Sequence, residues 1–338
     1  VNQPLIRIDR LSRHFTVAEA RTGMTGSLMS LFSRKHTVKK AVDDISFSIG
    51  EGEFVGYVGE NGAGKSTTIK MLTGILTPTS GEVSVDGITP WRNRPENAKQ
   101  IGVVFGQRTQ LWWDLPVRES FDLLRSIFRV PEGRFRRNYE ELAETLDLGP
   151  LLDVPVRKLS LGQRMRCDLA ASLLHSPKVL FLDEPTIGLD LIAKDQVRAF
   201  LKRINQTRKT TIILTTHDMD DIEALCERII ILDEGKIVYD GQTDRLKKRY
   251  IREKSIVVEF FEDPGTLELE DVRVDGDAGL KRRLTFSTDV TGAPEVIARL
   301  VARHRIKDLS IHEPKVEEVI KKIYADPASA RRDEAMAP

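Results

Sequence analysis

A chain of 338 residues is too long for one ordinary domain, so two domains are the starting expectation. A composition of 40% hydrophobic and 30% charged residues fits a globular protein that faces water, and a net charge of +1 argues against a dedicated nucleic-acid binder. Cys167 and Cys226 are too few for a disulfide framework or a cysteine zinc site and fit a reducing compartment; no stretch approaches the ~20 apolar residues of a membrane span, and Val1-Asn2-Gln3-Pro4 lacks the plan of a secretion signal.

Leu5, Ile6 and Ile8 alternate with polar residues and predict an edge strand that ends near His14-Phe15. Residues 18–36 then form a polar stretch around Leu28, Met29, Leu31 and Phe32. It reads as a surface insertion, with an amphipathic membrane contact as the alternative. Strand alternation resumes over Ala41–Ile49, and a turn at Gly50-Glu51-Gly52-Glu53 leads to the apolar run Phe54-Val55-Gly56-Tyr57-Val58. Short strands follow at Glu82–Val85 and Ile101–Phe105, the latter ending at Gly106-Gln107. From Val117 to about Leu152 the pattern is helical and strongly charged, as expected of a helical insert.

Ser160, with Gln163 three residues on, has the spacing of a capping box and opens a helix through Met165, Leu169 and Leu173. Val179–Leu182 is a buried strand closed by Asp183-Glu184, and a helix spans about Leu191 to Asn205. A strand over Thr210–Thr216 ends at His217, residues 218–228 are helical, and Ile229–Leu232 with Lys236–Tyr239 form a hairpin. Helices alternating with short apolar strands predict a mostly parallel sheet. After about Tyr250 the strands Ser255–Phe261, Leu267–Val274 and Lys281–Ser287, a helix near Pro294–His304, a strand Ile306–Ile311 and a helix Lys315–Tyr324 predict a small α+β domain. The tail Pro327–Pro338, rich in Ala, Pro and charge, is predicted to be disordered.

The segment Gly59-Glu60-Asn61-Gly62-Ala63-Gly64-Lys65-Ser66 carries the clearest chemistry. It joins a buried strand to a helix, the setting in which GxxxxGK[ST] cradles phosphates. Its glycines let successive N–H groups point inward, and the helix N-terminus adds positive potential. Lys65 is placed to reach the β- and γ-phosphates, with the Ser66 hydroxyl on Mg²⁺. The chain is therefore expected to bind a nucleoside triphosphate.

Set in order, Gly59–Ser66, Gln107, Leu159–Gln163, Val179–Glu184, Gly188-Leu189-Asp190 and His217 resemble the motif set of the ABC transporter ATPase family, over about residues 5–245. They match its Walker A loop, Q-loop, signature motif, Walker B strand, D-loop and switch histidine. The resemblance implies an α/β P-loop NTPase cassette with a mostly parallel core sheet, an antiparallel β subdomain and a helical insert. The expected boundaries are 1–250 for the cassette, with its helical subdomain at about 108–175, 251–326 for a small α+β accessory domain and 327–338 for the tail.

The resemblance also implies roles. Glu184 would be the general base, with His217 and Gln107 acting on the γ-phosphate and the attacking water. Asp183, Ser66 and Gln107 would hold Mg²⁺. ATP would be bound by Gly59–Ser66 with Thr67, by Phe15 stacking on adenine, and by Ser160, Gly162, Gln163 and Asp190 across a head-to-tail dimer. Leu161 departs from the common Leu-Ser-Gly-Gly-Gln, and a side chain in that third place is expected to force a less permissive, strained backbone. Trp112-Trp113, in a loop just after Gln107, suggest a docking patch for separate transmembrane permease subunits.

The phrases Phe105-Gly106-Gln107 and Asp183–Asp190 most resemble stand-alone ATPase subunits of exporters, cytoplasmic and peripheral on the inner face of the membrane. An importer ATPase is one alternative; a soluble ABC protein acting on ribosomes or nucleic acid is the other. No nucleic-acid partner is expected.

Overall fold

The computed structural model describes residues 3–18, 36–106, 108–250, 253–267, 269–275, 279–312 and 316–325. The 18–36 insertion falls almost wholly outside them, as do Gln107 and the tail. The chain divides into two compact units, Val1–Asp240 and Gly241–Pro338.

The first unit holds two sheets. β1 (Ile6–Ala18), β2 (His36–Ile49) and β4 (Ser80–Val85) make a three-stranded antiparallel sheet in the order β2-β1-β4. The first strand is thus central rather than at an edge, and it runs past Phe15 to Ala18 opposite His36. Its partners in the chain lie on either side of the phosphate-loop segment, so local alternation could not reveal that both of its edges are used.

β3 (Phe54–Gly59), β5 (Ile101–Phe105), β6 (Val179–Asp183), β7 (Thr211–Thr215), β8 (Arg228–Asp233) and β9 (Lys236–Gln242) build the second sheet, in the order β5-β6-β7-β3-β8-β9. All pairings from β5 through β8 are parallel. A parallel sheet is covered on both faces, which is why β6, β7 and β8 read as unbroken apolar runs. Helix α1 (Lys65–Leu72) contributes Ile69, Met71 and Leu72 to the core shared by the two sheets, together with Ile6, Ile8, Val55, Tyr57, Phe181 and Ile230. Each such fully buried aliphatic or aromatic side chain stabilises the fold by about 1.5–3 kcal/mol.

A short helix that the sequence pattern did not reveal, α2 (Arg94–Gln100), precedes β5, and its polar Asn97 is wholly buried. The helical insert contains α3 (Val117–Phe128), α4 (Glu132–Thr145) and α5 (Leu161–Leu173). α3 ends where Arg129 turns left-handed ahead of Pro131, and α5 starts at a complete Ser160–Gln163 capping box. Helices α6 (Leu191–Arg208) and α7 (Met219–Leu225) are capped by Asp190 and Asp218.

In the second unit, α8 (Thr243–Tyr250) packs on α10 (Val316–Ala325). This helix lies before residue 250, so the contact boundary falls about ten residues ahead of the change in sequence texture. β10 (Glu253–Phe260), β11 (Val272–Asp275), β12 (Lys281–Ser287) and β13 (Ile306–His312) form an antiparallel sheet in the order β11-β12-β10-β13. Helix α9 (Ala293–Val301) supplies Val296 and Leu300 to the core over Ile256, Val258, Phe260, Leu284 and Phe286. Arg282, wholly buried on β12, is paired with Asp263 and donates to the Gly279 carbonyl.

Candidate nucleotide site

Parallel register gathers the motifs. Phe105 lies opposite Asp183, and Asp183 opposite Thr215; Gly56 of β3 lies opposite Leu214. The carboxyl ends of four adjacent strands therefore deliver the segments that begin at Gly106, Glu184, Thr216 and Glu60 to one edge. Ligands of open α/β sheets bind at such an edge.

The Gly59–Ser66 loop owes its path to two glycines. Gly64 has φ +109 and ψ -1, and a Cβ there would lie 2.3 Å from the Ala41 carbonyl oxygen, so no other residue fits. Gly62, at φ +91, faces open space. Lys65 is buried, and its ammonium donates to the carbonyls of Gly59 at 2.6 Å and Glu60 at 3.0 Å. Burial pulls its pKa below the ordinary lysine range, against the pull of Glu184 and Asp183. Glu60, Asn61 and Ala63 complete the turn, in which Ala63 donates to the Glu60 carbonyl at 3.1 Å, and Thr67 lies in the first turn of α1.

The Ser66 hydroxyl lies 3.1 Å from Asp183 Oδ2, and Thr215 donates to Asp183 Oδ1 at 2.5 Å. Thr215 is a partner that the motif reading missed; its signal was its place in register with Asp183. Glu184 adopts a left-handed backbone at φ +55 and its amide donates to the Thr215 carbonyl at 2.9 Å. Its carboxylate Oε1 meets His217 Nδ1 at 3.3 Å. Gly106 is forced by this turn, since a Cβ on it would lie 2.0 Å from the Glu184 carbonyl oxygen.

The signature segment Ser160–Gln163 lies against the loop before α6 and the first turn of that helix. A Cβ on Gly162 would come within 3.3 Å of Ala193 Cβ, and a Cβ on Gly188 within 2.9 Å of Leu161 Cδ2. Leu161 is the first residue of α5 in ordinary helical geometry, so the strain expected of it does not arise. Asp190 accepts from the Ala193 amide at 2.9 Å and caps α6. Phe15 is half-buried, with the Arg13 guanidinium 4.8 Å over one face of its ring. Gln107 lies outside the described residues.

Beyond Gln107 the chain is pinned to the signature helix. Asp168 of α5, buried, accepts from the Thr109 hydroxyl at 2.8 Å and the Gln110 amide at 3.1 Å. This carboxylate was invisible as a motif because it sits mid-helix among apolar residues. Burial pushes its pKa up to about 6, opposed by those hydrogen bonds and by Arg164. The loop thus held exposes Trp112 (38%) and Trp113 (50%), while Leu111 beside them is buried. Arg164 lies 5.6 Å over the Trp113 ring, and Arg157 pairs with Asp114 at 2.6 Å.

A phosphate-cradling loop at the carboxyl edge of a doubly covered parallel sheet, with an acidic pair and a histidine beside it, defines a P-loop nucleotide-binding protein. A family profile described as ABC transporter matches residues 42–187. Among curated relatives, NatA of Bacillus subtilis, an ABC transporter ATP-binding protein, is 32% identical over 64% of this chain and 87% of its own length. DrrA3 of Streptomyces coeruleorubidus, a daunorubicin resistance ATP-binding protein, is 32% identical over 87% of this chain and 94% of its own. MetN of Geobacillus kaustophilus, a methionine import ATP-binding protein, is 33% identical over 84% of each. The solved dimeric cassette MJ0796 in a post-hydrolysis state with ADP and Pi superposes with a TM-score of 0.58 at 26% identity, over 70% of this chain and 98% of that one. The chain belongs to the ABC transporter family, as an ATP-binding subunit that hydrolyses ATP.

Asp168 makes stability depend on pH in a defined direction. Its folded pKa lies above that of an unfolded Asp, so between about pH 4 and 6 the native chain holds more protons, and stability falls as pH rises through that window. Measured by denaturant unfolding, the rise from pH 4 to pH 7 is expected to lower the stability of the wild type by about 2–3 kcal/mol more than that of Asp168→Asn. An equal change in both proteins would show that Asp168 does not titrate in this way.

Proposed function

We propose that this chain is the energy-coupling subunit of an ABC exporter, working as a head-to-tail pair bound to separate permease subunits. The observation that carries the catalytic part is the Glu184–His217 contact beside the phosphate loop. On this reading Gly59–Ser66 and Thr67 wrap the phosphates, and Lys65 exchanges its bonds to the Gly59 and Glu60 carbonyls for phosphate oxygens. Glu184 takes the proton of the attacking water, and His217 orients Glu184 and the γ-phosphate.

Ser66 and Asp183, a hydroxyl and a carboxylate side by side, are the hard oxygen donors that suit Mg²⁺; Gln107 would be a third. When bound, the ion supplies neutralisation of phosphate charge. Phe15 would take adenine on the ring face away from Arg13. Ser160, Gly162, Gln163 and Asp190 would act across the pair. The names of two structures support pairing, since MJ0796 is described as dimeric in two of its forms.

Among the described residues no helix is long and apolar enough to cross a membrane, so the membrane would be reached through a partner. Trp112 and Trp113 are the anchors offered to it: large, half-exposed rings on a loop fixed at both ends. Export is favoured by the exporter-like phrasing of residues 105–107 and 183–190 and by the likeness to DrrA3 along nearly its full length. The likeness to MetN supports import as the second reading, and transport assayed in inside-out against right-side-out vesicles separates the two.

Glu184→Gln keeps shape but removes the base, and is expected to lower ATP turnover by at least 10²-fold while an ATP-bound dimer accumulates in size-exclusion runs. Normal turnover in that variant would refute the role of Glu184. Replacing Trp112 and Trp113 together with Ala is expected to reduce co-purification of the permease and transport, with ATP binding unchanged. Undiminished co-purification and transport would remove the docking role.

A further inference from the structure

The buried charges beside the site form a network that the roles above leave unused. Asp221, on α7, is wholly buried, and an isolated carboxylate there would be costly. Its Oδ2 accepts from the Thr186 hydroxyl at 2.5 Å and lies 3.5 Å from that of Thr216; its Oδ1 accepts from Arg198 of α6 at 2.6 Å. Asp218 takes Lys194 of α6 at 2.5 Å and lies 3.8 Å from Arg198. Its own amide donates to Thr216 Oγ1 at 2.9 Å. Partial burial works to raise the Asp218 carboxyl, but Lys194, with Arg198 behind it, holds it below the usual carboxylate range. Two cations of α6 therefore balance Asp218 and Asp221, and Arg198 carries an added contact to the more exposed Asp195.

The ends of this network flank the reacting groups. Thr186 is two residues beyond Glu184; Thr216 and Asp218 bracket His217. The His217 side chain is itself 64% exposed, and among the described residues its polar contact is the one to Glu184. Its ring position is therefore set by the backbone on either side, which Thr216 and Asp218 fix. Glu184 sits in a left-handed conformation that a non-glycine residue holds only when its surroundings impose it. The Thr186 hydroxyl bond to Asp221 is one such restraint.

We propose that Arg198 and Asp221 are a positioning pair for ATP hydrolysis: their ion pair ties the turn after Glu184 to the turn around His217, and so holds the Glu184–His217 contact in register. The inference rests on the proposed roles of Glu184 and His217. It predicts that loss of the pair slows the chemical step without weakening nucleotide binding, because the bonds of the network go to residues 186–221 and not to the Gly59–Ser66 loop.

The test measures the affinity of a fluorescent ATP analogue, together with kcat and KM for ATP with Mg²⁺, in Arg198→Met, Arg198→Lys and Thr186→Val. Affinity is expected to stay within about twofold while kcat falls by about tenfold in Arg198→Met and Thr186→Val, with Arg198→Lys recovering part of the loss. In single-turnover assays, Arg198→Met added to His217→Ala is expected to cost less than about twofold further. Thr186→Val keeps both charges and the side-chain volume, so it carries the test if Arg198→Met fails to fold.

Wild-type kcat in Thr186→Val and Arg198→Met, with turnover sharply lowered in Glu184→Gln and His217→Ala, overturns the positioning pair and leaves the site reading intact. Parallel loss of affinity and kcat, or full additivity with His217→Ala, also overturns it. Wild-type turnover in Glu184→Gln and His217→Ala instead removes the reading on which the pair depends.

Discussion

Parallel strand register is the constraint on which the site depends. In β5, β6 and β7 the last residues Phe105, Asp183 and Thr215 lie opposite one another, and β3 joins the same ladder through Gly56 and Leu214. A slip of one residue in β6 would turn Asp183 to the other face and send a leucine toward Ser66. The slip is prevented because these strands are buried on both faces, where every side chain has a fitted place in the core. The apolar runs thus do more than stabilise the domain. They bring the ends of β5, β6 and β7 level and set that of β3 beside them, and the chemistry sits on those ends.

Above this frame, loops with little intrinsic structure are fixed by single close contacts. Gly64 passes against the Ala41 carbonyl, and Gly106 against that of Glu184. Asp168 gathers the Thr109 hydroxyl and the Gln110 amide, which holds the chain after Gln107 to the helix that begins at the signature motif. The exposed indoles of Trp112 and Trp113 lie a few residues further along the same segment. Signature helix and tryptophan loop are therefore mechanically continuous through one buried carboxylate. On the proposed reading, a displacement of the permease against those rings would be passed to α5 through Asp168.

Much of this was legible in the sequence, for physical reasons that also mark where legibility ended. Doubly buried strands and a glycine-rich turn leave strong local signals, so β3, β6, β7 and β8 and the phosphate loop could be placed. Pairing between distant strands leaves none. Alternation in the first strand reports one face and predicts an edge, whereas its second neighbour, β4, arrives more than sixty residues later. Helix α2 went unread because its buried member is Asn97, which carries no apolar period. Thr215, Asp168 and the Arg198–Asp221 pair escaped for a related reason. Hydroxyl and charged side chains take their meaning from partners 23 to 59 residues away, which no local spacing encodes.

Leu161 shows how a departure from a motif can be absorbed. A side chain in place of glycine is expected to constrain the backbone. The residue is instead the first of a regular helix, and its methyl group fills the space that Gly188, at φ +71, leaves open. The added bulk lies against the loop between Glu184 and Asp190 and ties that loop to the signature helix. The capping box meanwhile satisfies the amides of Ser160 and Gln163. Of the four donors at the start of a helix, those of Leu161 and Gly162 are left for an incoming anion. The departure thus changes what the helix start rests on and leaves the donors of its open end in place; on the proposed head-to-tail reading, the segment keeps what it needs to supply the second half of a site whose first half is Gly59–Ser66.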